Sequence, residues 1–238
     1  MGTLAEILKI QYQKKFMRLI ITYLLFSFFI SCAQNNNEVS ILFKPEGKMT
    51  YNYNMNSDNI NMSGTLDVNF TQKSDLVEMD IEITNLSGTT NENEDLGYNE
   101  FIGNTYTRKY DFYGKLLDLD NLPKQIINAD LFIVEFQKSP IKKGSNWKVK
   151  KTANPDMFFD FINVEYTCDL IKDDVAFIKV DMDFVTNDKQ SLEMKLSRKY
   201  KGEYIVNLKD GSVIAAQLYM DVFSGFSKLS GKIEIIKS

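Results

Sequence analysis

Two cysteines, Cys32 and Cys168, and two carboxylate pairs, Asp80 with Glu82 and Asp181 with Asp183, carry the reactive side chains of this 238-residue sequence. A thiolate can attack carbon or bind metal. Paired carboxylates can divide acid and base roles in glycoside hydrolysis, or hold calcium. There is no histidine, which removes Ser-His-Asp and Cys-His catalysis, histidine-bound metal and imidazole proton transfer together. No CxxC, GxSxG or glycine-rich phosphate loop occurs. A spacing of two puts each acid pair on one face of a strand, where it reads as solvated surface. Catalytic pairs and calcium loops need ligands that converge at a turn or pocket. "NENED" at 91–95 reads as an acidic loop. Cys168 alternates with Val164 and Tyr166 and reads as a small buried hydrophobe. The expectation is a protein that is not an enzyme, with no catalytic residue, metal site or cofactor.

Cys32 has a different chemistry. Residues 19–30, "LIITYLLFSFFI", follow Lys14, Lys15 and Arg18. A basic segment followed by a short apolar one is the layout of a secretory signal, and a spanning helix would need about 20 apolar residues. The run ends Phe29, Ile30, Ser31, Cys32, which resembles the lipobox of bacterial lipoproteins, with Phe29 where Leu is usual. The resemblance implies diacylglycerol on the Cys32 sulfur, cleavage before it, and acylation of the new amino terminus. An ordinary signal with an incidental cysteine is the alternative. Two or more acyl chains anchor stably, at about 0.8 kcal/mol per buried methylene. Cys168 then has no disulfide partner. The start is either Met17, with residues 1–16 an over-extended frame, or a long basic leader. The expected organisation is a signal over 1–31, a lipidated cysteine and polar tether over 32–46, and a β-rich domain over 47–238. The expected location is the bacterial cell envelope, facing the periplasm or exterior. The outer membrane is favoured because Ala33, not Asp, follows the cysteine.

Without residues 1–31 the chain has 24 basic and 31 acidic residues, a net charge of −7. That argues against nucleic acid, whose phosphates need Lys and Arg, and against electrostatic docking on anionic lipid.

The elements that position these residues are read from a period of two. "KMTYNYNMN", "NINMSGTLDVNF", "LVEMDIEI", "AFIKVDMDFV" and "SVIAAQLYMDV" alternate apolar with polar residues, the mark of half-buried antiparallel strands. "KDG" at 209–211 predicts a hairpin turn; "KSD" at 73–75 and "KDD" at 172–174 predict turns. Residues 120–136, with Ile126, Ile127, Leu131 and Val134 near helical spacing after Pro123, predict a short helical crossover over 121–136. The fold class is all-β with minor α: a strongly curved antiparallel sheet, either a half-barrel or two related β-units. Features recur in order: Pro45, Gly47 and Tyr51 against Pro140, Gly144 and Trp147, then two hairpins, then Gly114 against Gly211. An internal duplication over about 47–120 and 140–238 accounts for this, as does chance likeness of two β-meanders.

The apolar face is rich in methionine and tyrosine. Met49, Tyr51, Met55, Met62, Met79, Met182 and Met194 are the candidate ligand-binding residues, since methionine adapts to varied apolar partners and a curved sheet can cover an acyl chain. The plainer account is that they fill a core. Trp147 plugs the junction between the halves or offers a ligand platform. The expected function is a non-enzymatic lipoprotein that binds a hydrophobic or lipid-like molecule. The alternative is a protein-interaction or structural envelope module with a closed core. The expected partners are the membrane, through Cys32, and a hydrophobic small molecule or envelope protein, with no nucleic acid. With its lipobox, β-rich body and Pro140, Gly144 and Trp147, the chain resembles lipoproteins of the Bacteroidetes that share a P-x(3,4)-G-x-x-W element. That family has no assigned activity, so the resemblance implies location and fold alone. By fold analogy only, the architecture is similar to periplasmic lipoprotein and lipid carriers.

Overall fold

The period of two becomes ten strands. A computed structural model describes residues 38–118, 129–152, 159, 161–185, 196–224 and 227–238. The strands are β1 (Gly47–Ser57), β2 (Ile60–Gln72), β3 (Val77–Thr90), β4 (Thr105–Tyr110), β5 (Asn146–Thr152), β6 (Phe161–Lys172), β7 (Val175–Val185), β8 (Leu196–Asn207), β9 (Val213–Ser224) and β10 (Ser227–Lys237). They form one antiparallel sheet ordered β4-β3-β2-β1-β10-β9-β8-β7-β6-β5. The first four strands step outward to one edge. The chain then crosses to the opposite edge and steps back until β10 pairs with β1, Tyr53 opposite Ile235.

Register keeps the buried apolar sets on one face. Tyr51 lies opposite Leu66, which lies opposite Ile83; Val164, Met182 and Tyr200 line up across β6, β7 and β8. A one-residue slip would turn each set out to water. Extra residues interrupt three ladders: Thr84 in β3, Asp169 in β6 and Ile214 in β9. Such bulges bend and twist a sheet.

Two lead-in segments pack on the apolar face. Residues 38–46 bury Ile41 and Phe43; residues 131–136 bury Leu131, Phe132, Ile133, Val134 and Phe136. The Phe132 ring meets Tyr51 edge-on at 5.4 Å, and Phe43 meets Phe70 and Tyr110 at 6.0 and 5.7 Å. Val39 and Ile141 exchange backbone hydrogen bonds of 2.8 Å. The packed body therefore begins at Glu38 rather than at residue 47, because Ile41 and Phe43 gain more by burial than a polar tether would in water.

Residues 119–128, which include the first half of the expected helical crossover, lie outside the described residues. Its remainder has one 3₁₀ turn, Ala129–Phe132, and no regular structure from 133 to 136. Consecutive burial of Leu131, Phe132, Ile133 and Val134 fits neither a helix stripe nor an alternating strand. The three expected turns stand where the sequence puts them, with Asp173 at φ 53° and Gly211 at φ 71°. No helix among the described residues is long and apolar enough to cross a membrane.

Candidate functional site

The expected ligand-binding residues share one face but are not equivalent. Met49, Tyr51, Met62, Met79 and Met182 are buried in a single core cluster, and Met55 is half-buried against it. Met55 lies directly opposite Met62, and the Tyr51 hydroxyl donates to the Met49 sulfur at 3.6 Å. Met79 lies two strands from β1 at one end of the sheet, and Met182 lies on β7 toward the other. Burial raises the Tyr51 and Tyr53 phenols well above their ordinary range. Met194 and Cys32 lie outside the described residues. Trp147 stacks on Tyr166 at 5.3 Å, and its indole N–H donates to the Glu135 carbonyl at 2.8 Å.

A concavity lies on the polar face. A trough of about 740 Å³ runs over β6 to β9, lined by Glu165, Asp181, Lys201, Glu203, Gln217 and Tyr219 among others. Its charges are paired across strands. Lys201 meets Asp181 at 2.7 Å, and Lys148 meets Glu165 at 3.1 Å. Hydrogen bonds from Asn146 and Lys148 hold the Glu165 carboxyl below its usual range. Tyr219 stands 56 % exposed beside it, its hydroxyl donating to Gln217 at 3.2 Å. The strand-face acids lie on the outer surface with cross-strand partners: Asp181 and Asp183 pair with Lys201 and Lys199, the latter at 3.9 Å, and Asp80 accepts from the Thr107 hydroxyl at 2.6 Å. Among the described residues no three metal-ligating side chains converge. The trough can hydrogen-bond a partner and offers one aromatic face.

Two features were not singled out from sequence. Arg108 and Arg198 project from the apolar face: Arg108 is 3 % exposed on β4, opposite Met79, and Arg198 lies opposite Phe184, its buried Nε without a hydrogen-bond partner among the described residues. Their place in alternation with Tyr110 and Tyr200 was the available signal. The second is a run of lysines. Lys138, Lys142, Lys143, Lys148 and Lys150 are exposed, with half-buried Lys151 completing six between residues 138 and 151. The overall negative charge hid it.

No protein-family model matches this chain, and no curated protein matches it significantly.

Proposed function

We propose that this chain is a lipid-anchored, non-enzymatic module of a bacterial cell envelope. Cys32 holds it to the membrane, a closed core stabilises it, and partner proteins meet its exposed sheet face. The observation that carries this reading is the contrast between the two faces. Met49, Tyr51, Met62, Met79 and Met182 are packed in the core, while a concavity of about 740 Å³ on the other face is lined mainly by polar side chains and faces water. The signal-like segment ending at Cys32 and the resemblance to Bacteroidetes lipoproteins support the location. A strongly curved sheet belongs to the same reading. Tyr110 of β4 and Lys150, Lys151 and Thr152 of β5, from opposite edges, line one pocket of about 50 Å³.

A second reading, a carrier for a hydrophobic molecule with an anionic head, is favoured by Arg198. Its buried Nε has no partner among the described residues, while the guanidinium hydrogen-bonds Tyr200 and lies 5.6 and 5.7 Å from the rings of Phe159 and Phe184. Buried polar groups are nearly always paired.

Two mass measurements test these readings. The full chain, extracted from bacterial membranes, should have lost residues 1–31 and gained diacylglycerol, and Cys32→Ser should abolish both. Residues 33–238, exported without the anchor, should fly in native mass spectrometry as a clean apo species. Stoichiometric co-purified lipid, lost in Arg198→Gln, would replace the module reading with the carrier.

A further inference from the structure

We infer that the lysine-rich lead into β5 docks on the anionic phospholipid headgroups of the membrane that holds Cys32. This inference rests on the anchoring reading. The net charge of −7 argues against such docking only if charge is spread evenly, and it is not. Residues 138–151 hold six lysines and no carboxylate. Among the described residues the acids placed beside them are fewer: Glu38 pairs with Lys142 at 2.9 Å and Glu165 with Lys148 at 3.1 Å, Glu135 lies near Lys151 at the 50 Å³ pocket, and Asp169, next to Cys168 at the Gly144 turn, pairs with Lys179 at 3.1 Å. The segment keeps an excess of positive charge.

Its position in the chain decides what that charge meets. Val39 bridges Ile141, and Glu38 pairs with Lys142, so the body is entered at the lysine cluster. Five residues, 33–37, separate Glu38 from Cys32. A chain spans at most about 3.6 Å per residue, so Glu38 can stand no farther than roughly 21 Å from the lipidated residue. A surface held at that range needs only weak attraction, because tethering replaces a bimolecular encounter with an intramolecular one. Basic residues near an anionic leaflet supply that attraction within a Debye length.

Lysines on an edge strand also block strand addition by other chains, which accounts for Lys148 and Lys150 on β5. It does not account for Lys138, Lys142 and Lys143. These precede the strand, around the left-handed turn at Gly144, φ 83°.

The test uses the anchorless chain 33–238, since the described core lies wholly within the compact unit 38–238. It is sedimented with neutral phosphatidylcholine vesicles and with vesicles containing phosphatidylglycerol. Binding is expected to the anionic vesicles only, to weaken about fivefold for each lysine removed in Lys138→Ala, Lys142→Ala and Lys143→Ala, and to vanish at high salt. The same number of lysines removed elsewhere, Lys199→Ala, Lys201→Ala and Lys228→Ala, should leave it unchanged. Equal binding to both vesicles, no binding to either, or equal loss in the two triple variants overturns the inference. No vesicle binding would leave an acidic protein as the remaining partner for these lysines. Failure of the anchoring reading is seen separately, as an unmodified Cys32 in the intact mass of the full chain.

Discussion

Gly114 and Gly211 each stand in a turn and each meets the backbone of a distant lead-in segment. A Cβ built on Gly114 would lie 2.5 Å from the Val134 carbonyl oxygen; one on Gly211 would lie 2.7 Å from that of Leu42. Both have positive φ, 81° and 71°. Gly114 follows β4 and receives the segment leading to β5, while Gly211 follows β8 and receives the segment leading to β1. Backbone hydrogen bonds repeat the pattern, from Phe136 N–H to the Tyr113 carbonyl at 2.7 Å and from Lys44 N–H to the Asp210 carbonyl at 2.8 Å. A side-chain oxygen at the start of each turn accepts from the N–H two residues on, Asp111 from Tyr113 and Asn207 from Lys209. Gly47 and Gly144, at φ 81° and 83°, stand at the start of β1 and just before β5. Each glycine turn thus seats one lead-in segment on the sheet.

The glycine turns make the first prediction. Gly114→Ala and Gly211→Ala combine a left-handed backbone, costing an L-residue about 1–2 kcal/mol, with a clash that only backbone movement relieves. Each should lose about 3 kcal/mol or more. Gly103, at φ 83° with open space around it, supplies the contrast. Its alanine variant should lose only the conformational part, about 1–2 kcal/mol. Urea unfolding followed by Trp147 fluorescence measures all three. Equal losses at Gly103 and Gly114 would mean that the close approach to Val134 is not a tight contact.

Alkaline pH makes the second. Burial pushes the Cys168 thiol up to about 11, with Asp169 adding to the shift. Burial also raises Tyr51, Tyr53 and Tyr200. A raised acid holds its proton more tightly folded than unfolded, so its stabilisation is complete below the unfolded value, 9.0 for the thiol. It is lost as pH rises from there through 11. Stability should hold to about pH 9 and then decline. Cys168→Ala should move the onset up toward pH 10, removing about 2 kcal/mol of the dependence. Cys168 should also resist thiol reagents until the chain unfolds. A pH profile that Cys168→Ala leaves unaltered would assign the loss to the tyrosines alone.

Much of the sheet was legible in the sequence because its residues obey a local rule. Alternation around Met49, Tyr51 and Tyr53 marks β1 without any knowledge of its partners, and Asp210-Gly211 marks a turn by its own backbone preference. What stayed hidden depends on distant contacts. Phe43 looks like part of a tether until Phe70 and Tyr110 are placed against it, and residues 131–136 mimic a helix because they are buried all round. Arg108 and Arg198 read as ordinary strand polar residues until register sets them opposite Met79 and Phe184. The meaning of the methionine face was also unreadable, since a packed core and a ligand cavity use the same residues. Likewise, the net charge revealed nothing of the lysines gathered at Glu38.

Trp147 joins β5 to the crossing segment, which yields the third prediction. The indole donates to the Glu135 carbonyl at 2.8 Å and stacks on Tyr166. Trp147→Phe keeps a ring but deletes the donor, leaving a carbonyl without that bond. The cost should be about 1–3 kcal/mol. Outer-face pairs behave differently: Lys201→Ala should cost less than about 1 kcal/mol, because both partners of Lys201–Asp181 are about half exposed or more. If Lys201→Ala proved as costly as Trp147→Phe by thermal unfolding, the polar face would have to contribute to stability rather than serve contact alone.

The last prediction separates a packed core from an adaptable cavity. Met79 has no exposed surface, whereas Met55 is half-buried at the end of β1 beside Met62. In a closed core, Met79→Ala leaves a void that its neighbours cannot fill, for about 2–5 kcal/mol. Met55→Ala loses part of a contact already open to water and should cost about 1 kcal/mol. A lining that opens for ligand would reverse this expectation, since its methionines would be kept for fit and would tolerate truncation in the empty protein. Denaturant midpoints of the two variants, with and without added fatty acid, decide between these. A large loss at Met79 that fatty acid does not restore is expected of the closed core. A small loss at Met79, with stabilisation by fatty acid, would move the function to the interior.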